Sequence, residues 1–182
     1  FKGTIYGEYT GKNYYIGGLT EKSLFKSISG AVVRNIAFGY ESENSYIHKS
    51  ALMAEYIENN ALVTNISVKN VTLNIDATAN GNYGALVNSV SGVSEISAFS
   101  IDNVKFKLNN KVESSSINVG IFAGQLENCD KLSAITIKNS QIAVEGAAYK
   151  SALVGLIAGN ITGSNSIINN DVATDSNTIA IN

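Results

Sequence analysis

Few residues in this chain could do chemistry. It has one histidine, His48 in SYIHKS, and one cysteine, Cys129. A zinc protease of the H-E-x-x-H type needs two histidines on one helical face, and a thiolate metal cluster needs several cysteines. No metal site and no cofactor is therefore expected, and a lone cysteine excludes an intrachain disulfide framework. A Cys–His pair would need the two side chains within hydrogen-bond reach, but they fall at different offsets of the repeat described below. His48 reads as an exposed loop histidine and Cys129 as a small residue, buried or half-buried, at a coil edge.

Charged groups at matching offsets are the other candidates. Lys69, Asp102 and Lys138 each stand just before an asparagine. A polysaccharide-cleaving enzyme could cluster such groups on adjacent coils. The alternating sign favours a cross-strand ladder in which they neutralise one another. Glu58 and Glu127 share an offset, with Gly92 read between them, which puts them two strand spacings or about 9–10 Å apart. That is at or beyond the upper end for an inverting carboxylate pair. Gly17–Gly18 and Gly155–Gly159 lack the following helix and the Lys-Ser/Thr pair of a phosphate loop. Three Asn-x-Ser/Thr matches, at Asn65, Asn70 and Asn160, are what chance gives in an Asn-rich chain. No catalytic residue is expected here.

What must position these groups is a repeat. LMAEYIENNALVTNISVKNVTLNI, from Leu52 to Ile75, recurs from Leu86 and Ile121 and, degraded, from Leu153, with an earlier copy from Leu24. A period in the range of roughly 20–50 residues is the mark of a solenoid or array. Within one copy Ile66 and Val68 alternate with polar residues, and after Asn70 so do Val71, Leu73 and Ile75. Period two means strands. The phase slips at Asn70, so the chain must turn there, and asparagine tolerates the left-handed backbone a corner needs. Asn103, Asn139 and Asn170 are the matching corners. Ile66, Val68, Val71, Leu73, Phe99, Ile101, Val104, Phe106, Leu108, Ile135, Ile137 and Ile142 should face inward in one core.

A propeller blade needs four strands and about 40–50 residues, more than these copies offer. The expected fold is all-β: a right-handed parallel β-helix (β-solenoid) of about five coils. It forms a single domain, 1–182, with residues 1–23 as an N-terminal capping hairpin or coil and 24–182 as repeat coils. Terminal repeats of solenoids are atypical because they must cover strand edges. Phe1 in place of a methionine implies excision from a larger protein. A net charge of −2 gives no electrostatic case for nucleic acid, and no apolar run has the ~20 residues a helical membrane crossing needs.

FKGTIYG, YYIGGLT and SLFKSISGAVVRNI together resemble the entry to the β-helical (GLUG-like repeat) segment of bacterial surface zinc metalloproteases of the immunoglobulin-A protease type. Leu24, Phe25, Ile28, Gly30, Ala31, Val33, Asn35 and Ile36 occupy the positions of that entry. Gly84–Val87, Gly120–Ala123 and Ala152–Gly155 echo its glycine-led openings, whereas Ser50–Ala54 lacks the glycines. The resemblance implies a noncatalytic module of a secreted or cell-surface bacterial protein, a scaffold or substrate-docking part whose catalytic domain lies elsewhere.

Length variation concentrates after the third strand of each copy, in 39–49, 76–83, 109–118 and 145–150. A solenoid would project these stretches as a row on one side, carrying Tyr40, Tyr46, His48, Tyr83, Lys111 and Tyr149. Tyrosine among small polar residues makes adaptable recognition surfaces. The alternative function is thus an adhesin segment that binds host protein or glycan through that row. Expected partners are host protein or glycan, or the protease domain of the same chain; nucleic acid and membrane insertion are not expected, and the fragment should be monomeric.

Overall fold

A computed structural model describes residues 4–6, 15–163 and 173–181. All of its regular elements are strands, and every strand pairing is parallel. The strands stack in three sheets, one per side of a β-solenoid.

The long strand Leu62–Ala77 shows why the chain coils. Val63, Ile66, Val68, Val71, Leu73, Ile75 and Ala77 are buried. Strict alternation would send Ile66 and Val71 outward, yet Asn65 and Asn70 both adopt φ 54° and each resets the phase. One strand therefore bends twice while keeping its apolar residues inside. Asn35, Ala98 and Ala134 occupy the position of Asn65 in neighbouring turns, at φ 52–59°. This second corner was not separated from the first in the sequence, because two of its members are alanines.

The first side stacks Phe25–Ser29, Ala54–Glu58, Val87–Val93, Ala123–Cys129 and Ala158–Thr162. The second is built on Val32–Gly39, Leu62–Ala77 and Glu95–Asn110, continued by Leu132–Lys138 and Gln141–Gly146. Among the described residues the third holds Gly81–Gly84, Ser115–Gly120 and Tyr149–Gly155. About three turns thus carry all three sides, fewer than the five coils expected. In the first copy Ile47–His48 is the strand that follows the corner equivalent to Asn70, and it joins the second sheet. In the last copy the connection after Gly163 lies outside the described residues.

Register corrects the repeat boundaries. Phe25, Ala54, Val87, Ala123 and Ala158 lie in line. Leu153 belongs to the third side of the preceding turn, so the final copy opens around Ala158. Its glycine is Gly155, aligned with Gly84 and Gly120. A Cβ on any of the three would collide with the carbonyl of the residue three further on. Glycine here serves a close backbone approach, where the third side turns into the first.

At the N-terminus, Thr4–Tyr6 pairs in parallel with Val32–Arg34, and Ile16 bridges Phe38 in the same sense. A hairpin would pair antiparallel, so this segment lengthens the second sheet. Residues 1–3 and 7–14 of the expected cap lie outside the described residues.

The core is one cluster running from Ile28 to Val144. All the residues expected to face inward are buried, in columns such as Ile36–Ile66–Phe99–Ile135 and Leu73–Phe106–Ile142. Phe99 and Phe122 meet edge-on across the interior with ring centroids 5.0 Å apart, tying the second side to the turn between the third and the first. The columns run out at the far end. Ile161 and Ile179, in line with buried Leu126 and Ile142, are each 44% exposed.

Candidate functional site

The corner asparagines align as the repeat predicts. Lys69, Asp102, Lys138 and Asp175 share one register, which puts Asn70, Asn103, Asn139 and Ser176 at the corner. Their φ angles are 54°, 53°, 50° and 55°. Asn70 donates to the carbonyl of Tyr40 at 3.0 Å, and Asn103 donates to Oδ1 of Asn70 at 2.9 Å. Asn170 lies outside the described residues; the place in line with Asn139 belongs to Ser176. The charged ladder beside the column has the expected register and gains Asp175. The carboxylate of Asp102 accepts from Nδ2 of Asn139 at 2.8 Å, so it helps fix the corner.

Of the remaining candidate groups, Glu58 and Cys129 have structural partners. Glu58 and Glu127 flank Ser91, while Gly92 sits one residue further on, in line with Asn59 and Asn128. Ser27 donates to Glu58 at 2.9 Å. Cys129 is buried and its thiol contacts the carbonyl of Lys131 at 3.3 Å. Burial pushes its pKa up to about 11, which removes the thiolate a nucleophile needs. Among the described residues no three His, Cys, Asp or Glu groups lie close enough to hold a metal ion. Among the described residues no helix is long and apolar enough to cross a membrane.

His48 is not the exposed loop residue expected. It is 1% exposed, paired beside Leu73 in the second sheet. Its Nδ1 lies 2.8 Å from the Leu19 carbonyl and its Nε2 lies 3.4 Å from the Tyr40 hydroxyl. The carbonyl can only accept, so Nδ1 carries the proton and Nε2 accepts from Tyr40. That hydroxyl in turn accepts from the Gly18 amide at 2.8 Å. Period-two reading missed this because the strand is only two residues long, and the apolar position it fills was identifiable only by alignment with Leu73.

The expected row of tyrosine loops divides in two. Tyr83 and Tyr149 belong to strands of the third side and are half-buried against the core. They are not in line: Tyr83 aligns with Val119, and Tyr149 with Ser115. The Tyr83 hydroxyl donates to the Ala79 carbonyl at 2.7 Å. Burial raises the pKa of both phenols, and Glu145 adds to the effect on Tyr149. Tyr40 and Tyr46 lie in the first turn, stacked with centroids 5.5 Å apart and planes 12° from parallel. Tyr46 is 55% exposed. Lys111 remains exposed and pairs with Asp76 at 3.5 Å.

What the sequence did not single out is a cleft on the outer face of the second side, beneath the first-turn loop. Its centre, about 180 Å³, lies over Thr72, Asn74, Lys105, Gln141 and Ala143, with Ile47 at one edge. A hollow of about 320 Å³ beside Lys49 and Asp76 shares the walls Ile47 and Asn74. A smaller one, about 40 Å³, adjoins Glu43, Asn44 and Asn103 and shares Thr72 and Lys105. Glu43 reaches across from the loop to accept from Asn103 at 3.1 Å and Lys105 at 3.2 Å. These two hydrogen bonds, with the Lys105 charge, hold its carboxyl below the usual range. Outward residues alternate with core residues, so Thr72, Lys105 and Gln141 form one row across the strands.

No family model, curated protein or solved structure matches the chain. The fold and this geometry therefore carry the functional argument.

Proposed function

We propose that the chain is a noncatalytic β-solenoid module of a secreted or cell-surface bacterial protein, wound right-handed, with its N-terminal segment covering one end. It serves as a scaffold or substrate-docking part of a protease-like protein of the immunoglobulin-A protease type. The observation that carries this is the unbroken core from Ile28 to Val144, backed by corner residues that bond from turn to turn. Such a stack transmits position along its axis and needs no reactive group. Right-handed winding accords with the strong preference of parallel strand crossovers. The structural commitments of Cys129, His48 and Asp102 support the noncatalytic role.

A second reading, an adhesin segment that binds host protein or glycan, is favoured by the cleft beneath the first-turn loop. The binding part would then be Tyr46 and the outer face of the second side, with Tyr83 and Tyr149 acting in packing. The purified protein, incubated with unfolded casein and with neutral and acidic polysaccharides, should release no fragments by mass spectrometry. Cleavage of any of them, retained on repurification, would overturn the noncatalytic role. A peptidase motif elsewhere in the same polypeptide would select the scaffold reading, and a wall anchor the adhesin.

A further inference from the structure

We infer that the cleft on the outer face of the second side binds a linear, uncharged glycan laid along the solenoid axis. This rests on the second reading above and names its ligand class. Three features carry it.

The first is charge balance. Each ammonium group around the cleft has a carboxylate partner: Lys105 with Glu43 at 3.2 Å, Lys49 with Glu21 at 2.8 Å, Lys111 with Asp76 at 3.5 Å, and Lys107 with Glu145. A polyanion would find no net positive field to draw it in. Such ion pairs still offer both donors and acceptors, the combination that ring hydroxyls require.

The second is hydrogen-bonding capacity left over. The Thr72 hydroxyl and the Gln141 amide have no partner among the described residues. They stand in one row with Lys105 between them, one polar group per strand at a spacing of about 4.8 Å. That spacing is close to the length of one pyranose unit in an extended chain. Successive sugars would therefore meet successive strands.

The third is shape. Thr72 and Ala143, on the strands either side of the one that carries Lys105 and Lys107, keep the floor low beside those longer side chains, where the central hollow of about 180 Å³ lies. At its edge stands Ile47, 46% exposed, and the residue before it in the chain, Tyr46, is 55% exposed and backed by Tyr40. A supported aromatic ring with a free surface suits the C–H face of a sugar.

The test is a titration of the ¹⁵N-labelled protein with β-1,4-linked hexasaccharides of glucose, mannose, xylose and N-acetylglucosamine, with a heparin hexasaccharide as the anionic control. At least one neutral chain should shift the amides of Thr72, Asn74, Lys105 and Gln141, with an affinity little changed by high salt. Ala143→Trp, which fills the floor from the solvent side, should weaken that binding about tenfold or more. The double variant Thr72→Val, Gln141→Leu should do likewise, with both proteins melting near the parent. The inference is overturned if no neutral chain moves these amides, if only heparin binds and salt abolishes it, or if a neutral chain binds both variants like the parent. Those results would leave the scaffold reading intact, because that reading is tested by substrate cleavage and by the peptidase motif or wall anchor elsewhere in the polypeptide.

Discussion

Asn103 donates its side-chain amide to Oδ1 of Asn70 at 2.9 Å, each residue holding the same corner of its own turn with φ near 54°. The bond makes the bend of one turn the template for the next. Replacing Asn103 with alanine leaves the backbone in the left-handed region at a cost of about 1–2 kcal/mol and removes the amide link. Glycine removes the amide's hydrogen bonds to Asn70 and Glu43 but not the backbone conformation, which it adopts freely. Urea unfolding should therefore rank parent, Asn103→Gly, Asn103→Ala in decreasing stability. An alanine variant as stable as the glycine one would mean the corner is not strained.

Phe106 fills the column between Leu73 and Ile142 and is 1% exposed. Truncation to alanine should cost about 3–5 kcal/mol, because the sheets on either side cannot close around the cavity. A chemical denaturation curve superimposable on the parent's would contradict the packing.

The tyrosines should separate by experiment. Tyr46→Ser should change stability by no more than about 0.5 kcal/mol, as exposed substitutions usually do. Tyr83→Ser and Tyr149→Ser should each lower the melting temperature measurably, since both rings pack on the core. Equal melting of all three variants would restore the picture of a simple loop row.

Glu95 accepts from Lys131 at 2.8 Å and from Ser97 at 2.6 Å, and these bonds hold its pKa below the ordinary 4.5. A carboxyl with a lowered folded-state pKa binds fewer protons folded than unfolded, so it stabilises the fold above its ordinary pKa. That contribution is lost as pH falls through the lowered value. The difference in stability between the parent and Glu95→Gln should be constant from neutral pH down to about 5 and shrink in more acidic buffer. A difference that grows on acidification would reverse the assignment.

Cys129 should resist alkylation by iodoacetamide at pH 8 in the native protein and react once unfolded. Its pKa of about 11 leaves almost no thiolate, and the side chain is 1% exposed. Rapid labelling of the folded protein would show that this edge of the core opens.

Much of the architecture was legible in the chain because its causes are local. Alternation in Ile66–Val68 and Val71–Ile75 implies strands with one buried face, and a phase slip at an asparagine implies a corner. The corner at Asn65 was harder to see, since Ala98 and Ala134 reach the same left-handed backbone without the residue type that announces it. The cleft was illegible for another reason. Thr72, Lys105 and Gln141 are unremarkable polar residues on three separate strands, and only strand pairing makes them a row.

By itself the sequence determined that the chain is a stack of parallel coils with Phe99, Phe106 and their neighbours inside. Burying every second residue of a repeated strand leaves few other solutions. Tertiary structure alone decided that the last copy opens around Ala158, that Ser176 follows Asn139 at the corner, that His48 is interior, and that Tyr83 and Tyr149 belong to a third side. Each of these depends on lateral hydrogen bonds between residues a full turn apart. A short apolar run such as LVGLIAG can satisfy its own periodicity in several frames, and the pairing with the preceding turn selects one.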